Sequence, residues 1–565
     1  MASAAVTAPG YVVLGPALGW PNAYVVDALD GQRSLKHFTV AVGINGQPLA
    51  SDMMAGDVLP PHTSLALTLN TVANFNTPTA LQDVAARALF QTKRAATTII
   101  TGGPGTGKSW TRNMACTMAR QKNIFYLCLA QNAVVARDMP SGLFGSKSIP
   151  PITVEMFLCS ESRYIFPQSG VDNKALKRFL LIIDEYSMIT ASQLDAIMVK
   201  AKRTFRNAEI QLALFGDHHQ LPPVAGHSPW MSEHLMAAME STDASVLAVY
   251  ELRQQQRFAN DPAEKLVQAI VEGKLLVANE FLFAAAKRKL PPVGSCAYIA
   301  PTNAQLVEWN IAAHNLTAKL PNANETTFVA AKGNPVPPSF KLVNGMEITN
   351  KKNSYTKSED EGIVYTDYNG LNGIVKGLTG GTVVITDTSS ISIKLANGDV
   401  HTIAPKLMTL AEIWKSLGVA RRPDGDVGSD GKRHKHTEMS KVWWFPIHQG
   451  PAKTVHIMQG ATLEKGKPVV IDLARLPRNV DGLCMLYVAA SRVQRFADLI
   501  VTGYEHLNLS ELASACPCGC TGNHTGARKK LRSVAHRPQK LACYQRWLDT
   551  LLARRRAVYL FNEPR

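Results

Sequence analysis

The sequence predicts an α/β protein with two tandem parallel-sheet domains and a small β-barrel inserted into the second. Three observations predict it. From about residue 75, β-branched and apolar runs alternate with helix-compatible stretches, the pattern of strands joined by crossover helices. A glycine-rich segment, Gly102–Ser109, follows one of those runs directly. Over 325–440 the pattern changes to short strands, with strict apolar/polar alternation at Ile391-Ser392-Ile393-Lys394-Leu395.

A chain of 565 residues has room for several domains. Residues 1–70 are short apolar runs broken by Gly and Pro, with four Asp against Arg33 and Lys36; they read as a β-rich N-terminal module whose task is not legible. The first α/β domain is expected over 71–250, with Thr97–Thr101, Phe179–Ile183 and Leu212–Phe215 as buried parallel strands. The second is expected over 251–324 and 441–510, with strands at Ala297–Ile299 and Val469–Leu473. Between its halves lies the inserted barrel, 325–440. It holds a β-branched run at Thr382–Thr386, turn dipeptides Asn369-Gly370, Asn372-Gly373 and Asn397-Gly398, and a polar loop from Ala420 to Glu438. Residues 511–565 form a basic tail with cysteines and histidines.

Hydrophobic residues at 46% and charged residues at 18% exclude a mainly disordered or fibrous chain. The net charge of +16 favours a polyanionic partner, nucleic acid before a membrane surface, because no basic amphipathic helix stands out. No apolar run is long enough to span a membrane without Pro or charge, and Pro9, Pro16 and Pro21 break the N-terminus; neither an anchor nor a signal peptide is expected. Cys116, Cys128, Cys159, Cys296 and Cys484 are scattered, which fits a reducing compartment. An intracellular setting, nucleus or cytoplasm, is therefore expected, a viral origin included.

Gly102-Gly103-Pro104-Gly105-Thr106-Gly107-Lys108-Ser109 is G-x-x-x-x-G-K-S between a strand and a helix, the context a phosphate-binding loop needs. The glycines let backbone N–H groups converge on phosphates, Lys108 reaches the β- and γ-phosphates, and the Ser109 hydroxyl suits Mg²⁺. Leu181-Ile182-Ile183-Asp184-Glu185 is an apolar strand ending in two acids. Asp184 is placed to hold Mg²⁺, and Glu185 to orient or deprotonate the attacking water. The pair predicts a nucleoside triphosphatase.

Further segments, in order, resemble the Pif/RecD-like branch of superfamily 1 DNA helicases. Asp184–Met188 is similar to motif II, Gly216–Val224 to motif III, and Leu252-Arg253-Gln254 to motif IV. Pro301-Thr302-Asn303 with Asn310 is similar to the segment after it, Thr454–Gly460 to motif V, and Tyr487–Val493 to motif VI. The resemblance covers about 75–505. It implies two RecA-like domains, an SH3-like inserted barrel, and ATP-driven 5′→3′ unwinding in replication, recombination or repair. It implies Gln82 as the adenine reader, hence ATP; Gln220 as sensor of the γ-phosphate; and Arg253 and Arg492 as arginine fingers. Single-stranded nucleic acid, DNA favoured over RNA, would meet Thr153, Thr302, Asn303, His456 and Gln459.

The chain departs from that pattern at Ala130-Gln131-Asn132-Ala133, at Glu155 and at Ile457-Met458, all expected near the strand. Two other readings remain open: a viral-type RNA helicase, which shares the P-loop and Gly-Asp-x-x-Gln, and an ATP-regulated clamp that does not unwind. Ser491-Arg492 and Leu221-Pro222-Pro223 lean toward the DNA branch. In the tail, Cys516, Cys518, Cys520 and His524 offer four ligands of the kind structural zinc takes, but Cys-x-Cys-x-Cys is tighter than usual. A Zn²⁺ site and a reduced basic tail both stay open, and the tail's 11 basic against 4 acidic residues (from 501 on) suit phosphate contacts either way.

Overall fold

The computed structural model describes five strands between Val6 and Ala66 and residues 80–507, apart from short segments and the stretches 167–175, 332–338 and 414–440. The five N-terminal strands pair antiparallel in the order Val6–Thr7, Ser64–Ala66, Thr39–Ala41, Tyr24–Ala28, Tyr11–Pro16.

The first large sheet has a parallel core in the order Leu247–Leu252, Thr97–Gly102, Glu209–Gly216, Arg178–Asp184, Phe125–Ala130. These strands are apolar on both faces because helices cover both. Alternate residues sort between the faces. Ile99, Leu127, Leu181, Ile183, Leu212 and Leu214 pack with the helices Val154–Cys159, Ala191–Thr204 and Glu233–Glu240. Ile100, Tyr126, Cys128, Leu180, Ile182 and Phe215 pack with Ala80–Ala88 and Lys108–Gln121. The Ala191–Thr204 helix opens with a reciprocal capping box between Thr190 and Gln193. Thr97–Gly102 lies inside the sheet, and its register (Gly216 opposite Thr101, Asp184 opposite Phe215) brings three carboxyl strand ends together. That edge is where open parallel sheets bind ligands.

A second parallel sheet runs Ala452–Thr454, Ala297–Ala300, Val469–Asp472, Leu499–Thr502. The helices Pro262–Val271, Leu275–Ala286 and Val480–Ala490 pack on it, and Leu221 of the first lobe joins their core. The expected domain limits shift accordingly. Leu247–Leu252 pairs with the P-loop strand, so the first sheet extends past 250. Lys441–Trp444 and Ile447–Gln449 pair with Lys406–Thr409 and Glu347–Asn350, so the inserted segment extends past 440 and the chain re-enters the parallel sheet at Ala452.

The inserted segment is mainly antiparallel. Its core gathers Phe340, Leu342, Ile348, Val375, Ile391, Ile393, Trp444 and Phe445, and the alternation at Ile391–Lys394 places both isoleucines inside. Gly398 falls between two paired strands at φ 92°, as a turn requires, while Asn397 lies outside the described residues. Asn372-Gly373, expected as a turn, instead begins the strand Asn372–Lys376, where a Cβ on Gly373 would come 2.8 Å from the Lys394 carbonyl oxygen. Asn369-Gly370 and the Ala420–Glu438 loop lie outside the described residues. One hairpin, Ser354–Ser358 with Gly362–Asp367, leaves the insert and meets the first lobe, where Ile363 joins the core beside the Ser162–Ile165 helix. Among the described residues, no helix is long and apolar enough to cross a membrane.

Candidate active site

The glycine-rich loop leaves the Thr97–Gly102 strand and enters the Lys108–Gln121 helix without a side-chain cap, so the first backbone N–H groups of that helix face the loop. Gly105 (φ 81°) and Gly107 (φ 87°) adopt the left-handed region, and a Cβ on Gly107 would fall 2.1 Å from Gln82 Nε2. Gln82, buried on the Ala80–Ala88 helix, donates to the Thr106 carbonyl at 2.7 Å and ties down the loop. Lys108 Nζ donates to the carbonyls of Gly102 (2.6 Å) and Gly103 (2.9 Å). Burial pushes the Lys108 ammonium below its ordinary pKa, while the charges of Asp217, Glu185 and Asp184 work against the shift.

Asp184 ends its strand and Glu185 follows at φ 50°, with the Glu185 N–H donating to Asp184 Oδ1 at 3.0 Å. Arg112, one helical turn beyond Lys108, forms a buried ion pair with Asp184. The hydroxyl of Ser109 and the carboxylate of Asp184 are the hard oxygen donors Mg²⁺ takes, and the carboxylate keeps acceptor capacity beyond these two bonds, so the donor set fits that ion. Burial and the neighbouring Asp184 charge raise the Glu185 carboxyl, against the pull of Lys108, Arg492 and a hydrogen bond from Gln459.

The loop after the Glu209–Gly216 strand supplies the third wall. Burial alone would raise Asp217, but a hydrogen bond and charge from His219, with the charges of Lys108 and His218, hold its carboxyl well below the usual range. His218 Nδ1 lies 3.2 Å from Thr101 Oγ1. Asp217, His218 and His219 place ligand-type atoms within 4.8 Å of one another, yet each already has a protein partner in Tyr487, Thr101 or Asp217. Gln220 is 3% exposed, and its side-chain oxygen is buried with no hydrogen-bond partner. A buried acceptor left open in this way suits a ligand-sensing role.

The second lobe closes the cleft. Arg492, following the Val480–Ala490 helix, is buried, donates to Val488 O (3.1 Å) and Ser491 Oγ (2.6 Å), and is lowered by burial, with the Glu185 charge opposing. Arg253, expected as the other finger, lies outside the described residues. Arg257 stands in the cleft beside Arg492: its Nη1 donates to Ser491 O at 3.1 Å, and burial with the Arg492 charge pushes it down to about 10. Tyr487 donates to Asp217 Oδ2 at 2.6 Å. Arg257, Arg112 and the partner roles of Tyr487 and Gln459 escaped the sequence reading. The signals available were an arginine four residues after Arg253 and another four after Lys108.

The residues expected at a nucleic-acid strand are more dispersed. Thr153 caps the Val154–Cys159 helix, accepting from Met156 N–H at 3.2 Å, and is buried. Thr302 caps the Asn303–Thr317 helix, Asn303 is its exposed first residue, and His456 is partly buried in the Val455–Met458 helix. Gln459 is not at a surface: it is 1% exposed and bonded to Glu185 and Ser187. Cys516, Cys518, Cys520 and His524 lie outside the described residues.

Residues 78–287 match the AAA domain family. No curated protein matches the chain. Among solved structures, the Pif1 helicase from Candida albicans is similar over 80% of this chain and 98% of its own, at 18% identity and a TM-score of 0.51. Pif1 from Bacteroides bound to ssDNA is similar over 80% of this chain and 96% of its own, at 17% identity and a TM-score of 0.50. Residues 78–287 are thus similar to the AAA domain family, and the chain shares the fold of the Pif1 helicases.

Proposed function

We propose that this protein is an ATP-dependent helicase that translocates 5′→3′ on single-stranded DNA and unwinds duplexes. The observation that carries the proposal is the facing of Lys108 and Glu185 on the P-loop lobe by Arg492 of the other lobe and by Arg257 of the segment joining the two. The ssDNA bound to the Bacteroides Pif1 and the +16 charge of this chain support the choice of partner.

The P-loop N–H groups and Lys108 bind the triphosphate, and Lys108 exchanges its two loop carbonyls for phosphate oxygens. Ser109 and Asp184 would hold Mg²⁺, which would supply charge neutralisation on the triphosphate. Glu185 takes a proton from the attacking water; its raised pKa suits a base. Arg492 and Arg257 offset charge developing on the transferred phosphoryl group, an effect worth roughly 10³–10⁵ in rate where arginine fingers have been measured. Because Arg492 belongs to the lobe opposite the P-loop and Arg257 to the segment joining the two lobes, binding and hydrolysis change how tightly the lobes close. A strand gripped alternately by the two lobes is then moved.

The inserted segment we read as an SH3-like barrel accessory to the second RecA-like domain, and the chain as an intracellular protein of DNA replication, recombination or repair. The cysteine tail we read as a basic phosphate-contacting segment, with zinc the alternative.

Steady-state ATP hydrolysis, measured alone and with single-stranded DNA or RNA at one fixed salt, tests the reading, followed by strand release from a tailed duplex. Stimulation by DNA with 5′→3′ release is expected. Stimulation mainly by RNA moves the chain to the RNA helicases, and turnover without strand release makes it a clamp.

A further inference from the structure

Gln459 reaches the nucleotide cleft from the second lobe, on the residue after the Val455–Met458 helix, and donates from Nε2 to Glu185 Oε2 (3.3 Å) and Ser187 Oγ (3.2 Å). We propose that Gln459 is a positioning residue that sets Glu185 for proton abstraction, and that nucleic acid engaging the Val455–Met458 helix acts on hydrolysis through it. The proposal rests on the helicase reading above and adds the route by which a strand controls hydrolysis.

Four observations carry it. Glu185 has a left-handed backbone (φ 50°) that side-chain-bearing residues rarely adopt, which marks this strand end as a constrained turn at a functional position. The Gln459 amide holds its carboxylate from the opposite lobe, at 1% exposure, where a hydrogen bond to a charged group counts most. Gly460 packs against the same spot. At φ 79° a Cβ there would come 2.7 Å from Val135 Cγ2 and 3.6 Å from Glu185 Oε1, so the Gln459-Gly460 step runs close to the first lobe and a larger residue at 460 would be strained. Finally, the Gln459 side-chain oxygen is buried without a hydrogen-bond partner, an acceptor available to the water whose proton Glu185 takes.

The route is short. His456, expected to meet the strand, and Gln459 are three residues apart across a single four-residue helix that the Ala452–Thr454 strand feeds directly. A displacement at His456 therefore moves the Gln459 amide with it. Lys108, Arg492, Arg257 and Asp184 also surround Glu185, but their charges act over several ångströms and without a fixed direction. Gln459 is a neutral donor whose effect depends on geometry.

The test uses the full chain with Gln459→Ala and the near-isosteric Gln459→Glu, which loses the donor. kcat and KM for ATP are measured with and without saturating single-stranded oligonucleotide, and strand affinity is measured separately by fluorescence anisotropy. Strand-stimulated kcat should fall about tenfold or more in both variants, KM and strand affinity should stay within about twofold, and the ratio of stimulated to unstimulated turnover should collapse. Retained KM and strand affinity also report an intact fold. An unchanged stimulation ratio overturns the coupling, as does full activity in Gln459→Glu. Loss of strand affinity in step with turnover makes Gln459 a nucleic-acid contact. A wild-type chain whose turnover ignores both DNA and RNA overturns the helicase reading and the coupling together.

Discussion

The Tyr487 hydroxyl donates to Asp217 Oδ2 at 2.6 Å, joining the second lobe to the first through two buried side chains. Burial and the Asp217 charge raise the Tyr487 phenol, so it stays a donor, and His219 holds the other carboxylate oxygen. This bond exists only while the lobes are close. A hydrogen bond to a charged group contributes about 1.5–3 kcal/mol. Tyr487→Phe keeps the ring and removes the donor, so KM for ATP should rise about tenfold in steady-state assays. Unaltered KM and kcat would show that the bond contributes nothing to closure.

Lys108→Ala should remove turnover, by about 10³-fold or more, while far-UV circular dichroism and thermal melting change little. Among the described residues its Nζ donates to two loop carbonyls, so the fold loses little. Near-normal hydrolysis in this variant would sink the P-loop assignment.

Arg492→Ala and Arg257→Ala should each keep nucleotide binding and lose most turnover. Both arginines hold Ser491, one through its hydroxyl and one through its carbonyl, so they act as a unit. The double variant should therefore be little worse than the poorer single one. Strictly multiplicative losses would mean two independent roles, and a change confined to nucleotide affinity would remove them from the transition state.

The nucleotide half of this cleft was legible because its chemistry is local. Gly102–Ser109 and Ile183-Asp184-Glu185 each need one strand and one turn, and apolar runs such as Phe179–Ile183 declare buried strands wherever they occur. What stayed illegible depends on pairing across long separations. Gln459 meets Glu185 from 274 residues away, and nothing in Met458-Gln459-Gly460 distinguishes an inward glutamine from a surface one. The limit of the inserted segment was misplaced because a polar stretch, 414–440, hides that Lys441–Trp444 returns to pair with Lys406–Thr409. Asn372-Gly373 misled because the same dipeptide that makes a turn also fits a strand where a neighbour's backbone comes close.

His448, on the Ile447–Gln449 strand beside Lys351, is pushed down to about 3 by burial and by the Lys351 charge. The unfolded chain binds a proton there below the ordinary value of 6.5, whereas the folded chain does so only near 3. Between those values the unfolded state holds the extra proton, so stability falls as pH drops through this window. The loss by pH 5 is at most about 2 kcal/mol. His448→Gln should remove that part of the acid sensitivity, narrowing the difference in melting temperature between pH 7 and pH 5. An identical difference in the two proteins would place the acid-sensitive group elsewhere.

Ile363 links the inserted segment to the P-loop lobe. It is 2% exposed within the first-lobe core although its hairpin springs from the insert, and neighbouring Lys357 is near enough to lower Lys200 on the Ala191–Thr204 helix. Among the described residues Ile363 is the hairpin side chain in that core, and truncating a buried isoleucine to alanine costs about 2–5 kcal/mol. That cost falls on the docking of the hairpin, because the antiparallel pairing of 354–358 with 362–367 does not involve the first lobe. Ile363→Ala should therefore raise amide hydrogen exchange in the hairpin and in the Ser162–Ile165 helix, while leaving Thr97–Gly102 protected and KM for ATP unchanged. Exchange rising equally across the P-loop strand would mean that Ile363 supports the whole first-lobe core; no rise at 162–165 would mean that the hairpin is held by other contacts.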